Sequence, residues 1–173
     1  LSDRATTDVE KLSQIFDVLV CGDGELTIFE ALKINKGIVD ADDRKSPFFL
    51  SNKQFSDLPL PARHLVDVDS YKYSIEGKKS TSLIAQLGCP FKCSFCSGRN
   101  SPFLRKIRQR SSDSIIEEMK LLYKNYGFTG FMFYDDELNV NKGLIDLLNK
   151  ITDLQMELGE EFRLRGFVKA ELF

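Results

Sequence analysis

Three thiols within eight residues, Cys89, Cys93 and Cys96, are the side chains of this sequence best placed to do chemistry. The fourth, Cys21, lies far off, so disulfide pairing would leave a thiol over in the crowded stretch. Residues Leu1 to Glu10 lack the basic-then-apolar layout of a secretory signal, and no stretch approaches the roughly 20 apolar residues of a membrane span. The expectation is therefore a cytoplasmic protein with reduced thiols and no membrane partner. Structural zinc takes four ligands, and the single histidine, His64, would have to complete a Cys3His set, which makes a non-catalytic zinc module one expectation. Ferredoxin clusters take four cysteines; three would hold three irons of a four-iron cluster and leave the fourth iron open. An open metal position is what catalysis requires.

The elements around these thiols alternate in type, as in a parallel sheet with crossover helices. Thr81 to Gln86 is a short strand-like run that ends at the Gly88 loop, so the cysteines follow a strand's C-terminal end. Ser111, Ser112 and Asp113 are N-cap candidates for a helix bearing Ile115, Met119, Leu122 and Tyr126, with Gly127 as its stop. Phe131 to Tyr134 predicts a second strand, and Asn141 a cap for a helix through Leu144, Leu147, Leu148, Ile151 and Leu154 to Gly159. Arg163 to Val168 predicts a third strand. The acidic loop Asp135, Asp136, Glu137 then sits at the end of the second strand, where parallel-sheet proteins place their chemistry.

Nearer the start, Asp17 to Cys21 is strand-like and runs through Gly22, Asp23, Gly24, Glu25 into a helix-like Leu26, Phe29, Leu32 with Gly37 as its stop. Strand, glycine turn and helix form a cofactor-facing unit of doubly wound folds, although tight turns use glycine with or without a ligand. Twenty-four Lys and Arg against twenty-six Asp and Glu leave a charge of −2, so no global field draws in nucleic acid. The basic run Arg99, Arg105, Lys106, Arg108, Arg110 is expected to be a solvated surface stretch.

The run Gly88-Cys-Pro-Phe-Lys-Cys-Ser-Phe-Cys-Ser97 resembles the cluster loop of radical S-adenosylmethionine enzymes, CxxxCxxC with an aromatic before the last cysteine. The resemblance implies that Cys89, Cys93 and Cys96 ligate a 4Fe-4S cluster whose open iron chelates S-adenosylmethionine. One electron, from a flavodoxin- or ferredoxin-type donor, then cleaves it to a 5′-deoxyadenosyl radical. It also implies that Phe95 packs near the adenine, that Asp135 and Asp136 hold the amino group, with Glu137 less defined, and that Lys169 in Lys-Ala-Glu helps hold the cofactor. Leu87 stands where many relatives carry Arg. Gly-Asp-Gly-Glu is similar to the turn ending the cobalamin domain in the cobalamin-dependent branch, which adds Gly22, Gly24 and Glu25 as cofactor residues and cobalamin as a cofactor. Leu58-Pro-Leu-Pro-Ala-Arg63 with Tyr71 resembles that branch's linker, while its Asp-x-His-x-x-Gly motif is missing.

The fold expected is α/β: about three strands of a (β/α) radical S-adenosylmethionine barrel, preceded by the last strand-helix unit of a Rossmann-like cobalamin domain. Residues 1–40 form the latter, 41–79 a linker and 80–173 the first half of the barrel. Full barrels run to about 250 residues, so the chain reads as an internal piece of a longer enzyme, marginally stable alone. The activity implied is radical generation, with methyl transfer through cobalamin to an unknown small molecule. A radical methylthiotransferase acting on RNA or protein is the alternative.

Overall fold

The computed structural model describes residues 9–96, 98, 100–101 and 103–172. The chain divides into two compact units, Leu1–Ser51 with Gly88–Arg108 and Asn52–Leu87 with Gln109–Phe173.

The second unit carries a four-stranded sheet of β3 (Ser74–Ile75), β4 (Lys78–Leu83), β5 (Gly130–Phe133) and β6 (Arg163–Gly166), in that spatial order. In chain order these follow the two strands of the first unit, β1 (Val18–Cys21) and β2 (Gly37–Asp40). Strands β3 and β4 form an antiparallel hairpin, whereas β4, β5 and β6 run parallel with Thr81, Phe131 and Leu164 in register. Parallel neighbours need crossovers, and the chain supplies helices Ser112–Tyr126 and Leu144–Leu158 between them.

The first of these crossover helices begins where Ser111 Oγ accepts the Ser114 amide at 3.2 Å, and ends where Gly127 turns left-handed at φ 69°. Its Ile115, Met119 and Leu122, spaced three and four apart, pack with Leu147, Ile151 and Leu154 onto Leu83, Phe131 and Phe133. This one core fastens both helices to the same sheet face. At the crossing of β4 and β5 the backbones approach so closely that a Cβ on Gly130 would run into Ser80 Oγ, so glycine alone fits.

The expected boundaries shift at several points. The first strand of the barrel part starts at Lys78 and breaks after Leu83, because the amides of Ala85 and Gln86 leave the ladder for the Asp135 carboxylate. Asn141 does not cap the second crossover helix: its Oδ1 accepts the Gly143 amide at 2.8 Å, which makes a turn before a helix that starts at Leu144. The third strand stops at Gly166.

The first unit holds helix α1 (Gly24–Ala31) between β1 and β2, which pair in parallel from Val18 opposite Gly37 to Cys21 opposite Asp40. Gly37, expected to stop the helix, opens β2, while α1 ends with Leu32 as its cap. A four-residue strand too short to show alternation hid this complete β-α-β unit from sequence patterning. Thr27 is the buried side chain of α1, whereas Phe29 and Leu32 stand 63% and 77% exposed. Cys21 is a core residue, and burial beside Asp40 and Asp42 pushes its thiol up.

Candidate cofactor sites

The cysteine loop belongs to the first unit. Its entry is pinned where the Cys89 amide donates to Leu104 O at 2.9 Å. The neighbouring Gly88, at φ 86°, lies so close to Lys106 O that a side chain there would collide with backbone. Between these points the Cys96 amide donates to Cys93 O at 3.0 Å, and Arg105 Nη2 lies 4.0 Å from Cys96 Sγ. Cys89, Cys93 and Cys96 are free thiols of intermediate exposure. Phe95 is 90% exposed, so it is no part of the core. Among the described residues no three His, Cys, Asp or Glu side chains are gathered as a metal site. The fit to an iron-sulfur cluster therefore lies in the donor set itself: three soft, unpaired thiols on one loop tied at its base.

The return half of this loop is staked to the β-α-β unit by acids that sequence patterning passed over. Asp42 Oδ1 accepts from the Phe103 amide at 3.1 Å and Ser101 Oγ at 3.3 Å. Asp23, the second residue of the Gly-Asp-Gly-Glu turn, pairs with Arg108. Gly22 in that turn is obligatory: at φ 87° its absent Cβ would lie 2.6 Å from Ala41 C. Gly24 has open space where a Cβ would be, and Glu25 is exposed in the first helical turn. The basic run is solvated only in part: Lys106 is exposed, whereas Arg108 is buried against Asp23 and Arg110 reaches Glu118 at 2.6 Å within the second unit. The carboxylates inside the fold draw these two arginines in. Arg99 lies outside the described residues.

The acidic loop is a rim of the second unit. Asp135 is 1% exposed, and its Oδ1 accepts the Ala85 amide at 2.8 Å and the Gln86 amide at 3.1 Å. Gln86 Nε2 donates to Glu137 O at 2.7 Å. Three buried acceptors at this rim have no hydrogen-bond partner among the described residues, namely Asp135 Oδ2, Glu137 Oε2 and Gln86 Oε1. Burial raises Asp135 from 3.8 to about 6, with the two backbone amides holding it back and Asp136 adding to the rise. Asp136 itself is exposed.

Lys169 joins the same rim through its backbone, which exchanges two hydrogen bonds of 2.9 and 3.0 Å with the Asn139 side chain, while its Nζ meets Glu171 at 2.7 Å. His64 is exposed in the turn Arg63–Leu65 of this unit. Sequence reasoning found the acidic loop but missed Gln86 and Asn139, whose roles depend on partners 51 and 30 residues away.

Donors are what this rim lacks, and a primary ammonium carries three. The chemistry of the three acceptors fits the amino group that the resemblance assigned there. Residues 83–171, spanning the cysteines, the acidic loop and Lys169, match the Radical SAM superfamily. The chain belongs to that superfamily, and β4, β5 and β6 are strands of a partial radical SAM barrel.

It is similar to an uncharacterized methyltransferase of Pyrococcus horikoshii, at 30% identity over 138 residues, covering 73% of this chain and 29% of that protein. The anaerobic magnesium-protoporphyrin IX monomethyl ester cyclase of Cereibacter sphaeroides is 28% identical, over 73% of this chain and 22% of its own. The cytidylyl-2-hydroxyethylphosphonate methyltransferase of Streptomyces wedmorensis is 25% identical, over 55% and 19%. The chain thus spans less than a third of the length of these relatives. No solved structure matches it. Among the described residues no helix is long and apolar enough to cross a membrane.

Proposed function

We propose that this chain is the cofactor-holding part of a cobalamin-dependent radical S-adenosylmethionine methyltransferase. The observation that carries the reading is the trio of unpartnered acceptors on Asp135, Glu137 and Gln86, within the residues that match the family. Cys89, Cys93 and Cys96 would hold three irons of a 4Fe-4S cluster. When bound, cluster and S-adenosylmethionine supply one-electron cleavage to a 5′-deoxyadenosyl radical, the electron coming from a flavodoxin- or ferredoxin-type donor. The chain's own part is positional. Asp135 accepts from the ammonium on Oδ2 while Ala85 and Gln86 hold its other oxygen still, and Lys169, tethered by Asn139, orients the far side of the rim.

Methyl transfer is supported by the names of two of the three relatives. Cobalamin dependence is supported by the Gly22-Asp-Gly-Glu25 turn of a β-α-β unit, with Gly22, Gly24 and Glu25 facing that cofactor and 1–40, 41–79 and 80–173 as cobalamin-domain end, linker and barrel. Phe95, exposed beside the last cysteine, is free to cover the adenine. Four unpaired thiols suit a cytoplasmic setting.

The test is the electron paramagnetic resonance spectrum of the anaerobically reconstituted, dithionite-reduced chain, with and without S-adenosylmethionine. A four-iron signal that shifts on addition in the wild type but not in Asp135→Asn is expected. Bound zinc with no labile sulfide would replace this reading with the zinc module.

A further inference from the structure

The sheet face opposite the crossover helices bounds a cavity of about 800 Å³ in the second unit. Aromatic rings contribute to its walls, with Tyr71, Tyr73, Tyr134 and Phe167 among them. Tyr134 and Phe167 stand edge to face at 6.2 Å, and are 64% and 54% exposed. Two guanidiniums also line it, and they differ sharply. Arg63 is committed, to Glu118 at 2.6 Å and to Ser82 O at 3.0 Å. The side chain of Arg165, opposite Met132 in the β5–β6 register, has no ion pair or hydrogen bond to any described residue. No described residue lining the cavity is a carboxylate.

An uncommitted guanidinium is a fixed positive charge with a planar fork of donors, suited to carboxylate, phosphate or sulfonate oxygens. It stands exposed beside the aromatic rings, so an anion that also brings an apolar or planar body gains twice, once on the rings and once on the fork. We propose that this cavity binds an organic anion with a flat or apolar body, and that Arg165 selects for its charge. That the anion is the enzyme's substrate rests on the radical-chemistry reading above. Binding itself needs neither cluster nor S-adenosylmethionine, so the two claims fail separately.

The test uses the whole chain without cofactors and two fluorescent probes of one shape class, anionic 8-anilinonaphthalene-1-sulfonate and uncharged N-phenyl-1-naphthylamine. The anionic probe should bind the wild type with enhanced, blue-shifted emission and weaken roughly tenfold in Arg165→Gln, less in Arg165→Lys, and not at all in Lys124→Gln, which removes a charge elsewhere. Tyr134→Ala should weaken both probes, which ties the signal to this cavity. The thermal midpoint of Arg165→Gln should match wild type, since the side chain has no partner to lose. Equal binding of the anionic probe by wild type and Arg165→Gln, or neutral binding as tight as anionic in the wild type, overturns the proposal.

Discussion

Asp23 and Arg108, 85 residues apart, form an ion pair inside the first unit, with the Arg108 guanidinium 5.7 and 5.6 Å from the ring centres of Phe49 and Phe103. The pair ties the Gly-Asp-Gly-Glu turn to the chain returning from the cysteine loop. Its electrostatics are set by burial more than by attraction: Asp23 is pushed up and Arg108 down, desolvation leading in each, with the mutual pairing opposing.

That balance predicts an asymmetry. Arg108→Met alone leaves a buried carboxylate unpaired and should cost roughly 3–5 kcal/mol. The double variant with Asp23→Leu should recover most of it. Urea unfolding of the three proteins decides the matter, and a double variant no better than the single one would show the pair to be net stabilising.

At the loop's entry, Gly88→Ala should be poorly tolerated. A left-handed backbone and a collision with Lys106 O both oppose the methyl, and the backbone conformation alone costs about 1–2 kcal/mol. Iron and sulfide content after reconstitution should fall severalfold, while Gly24→Ala, where the space is open, should load normally.

Asp135 predicts a pH dependence with a definite sign. A carboxyl held at about 6 in the folded chain and 3.8 when unfolded keeps its proton longer when folded, so stability falls as pH rises from about 4 to 6 and is level above. The full effect is on the order of 3 kcal/mol. Asp135→Asn keeps an acceptor for the Ala85 and Gln86 amides without the charge. It should therefore flatten this part of the profile and melt above wild type at pH 8, measured by calorimetry, while losing the affinity for S-adenosylmethionine.

Glu118 serves two guanidiniums from inside the second unit, Arg63 and Arg110, each at 2.6 Å. Glu118→Ala removes the one carboxylate that both share and should destabilise by about 3–5 kcal/mol, against a much smaller loss for Glu157→Ala, whose pair with Lys120 is exposed. Denaturant midpoints of the two variants give the comparison.

What the sequence by itself determined acts over a few residues. The spacing of Cys89, Cys93 and Cys96 specifies a donor set, the three-four recurrence of Ile115, Met119 and Leu122 a helix face, and Gly127 and Gly159 the left-handed stops of the two crossover helices, because each depends on local backbone geometry. Tertiary structure alone decided which polar groups meet. Asp135 reaches amides 50 and 49 residues back, Arg108 crosses to Asp23, and Asn139 brackets Lys169. No periodicity encodes such pairs. They arise where the parallel sheet brings distant strand ends to one rim, and where burial forces every charge to find a partner or to wait for a ligand that supplies one.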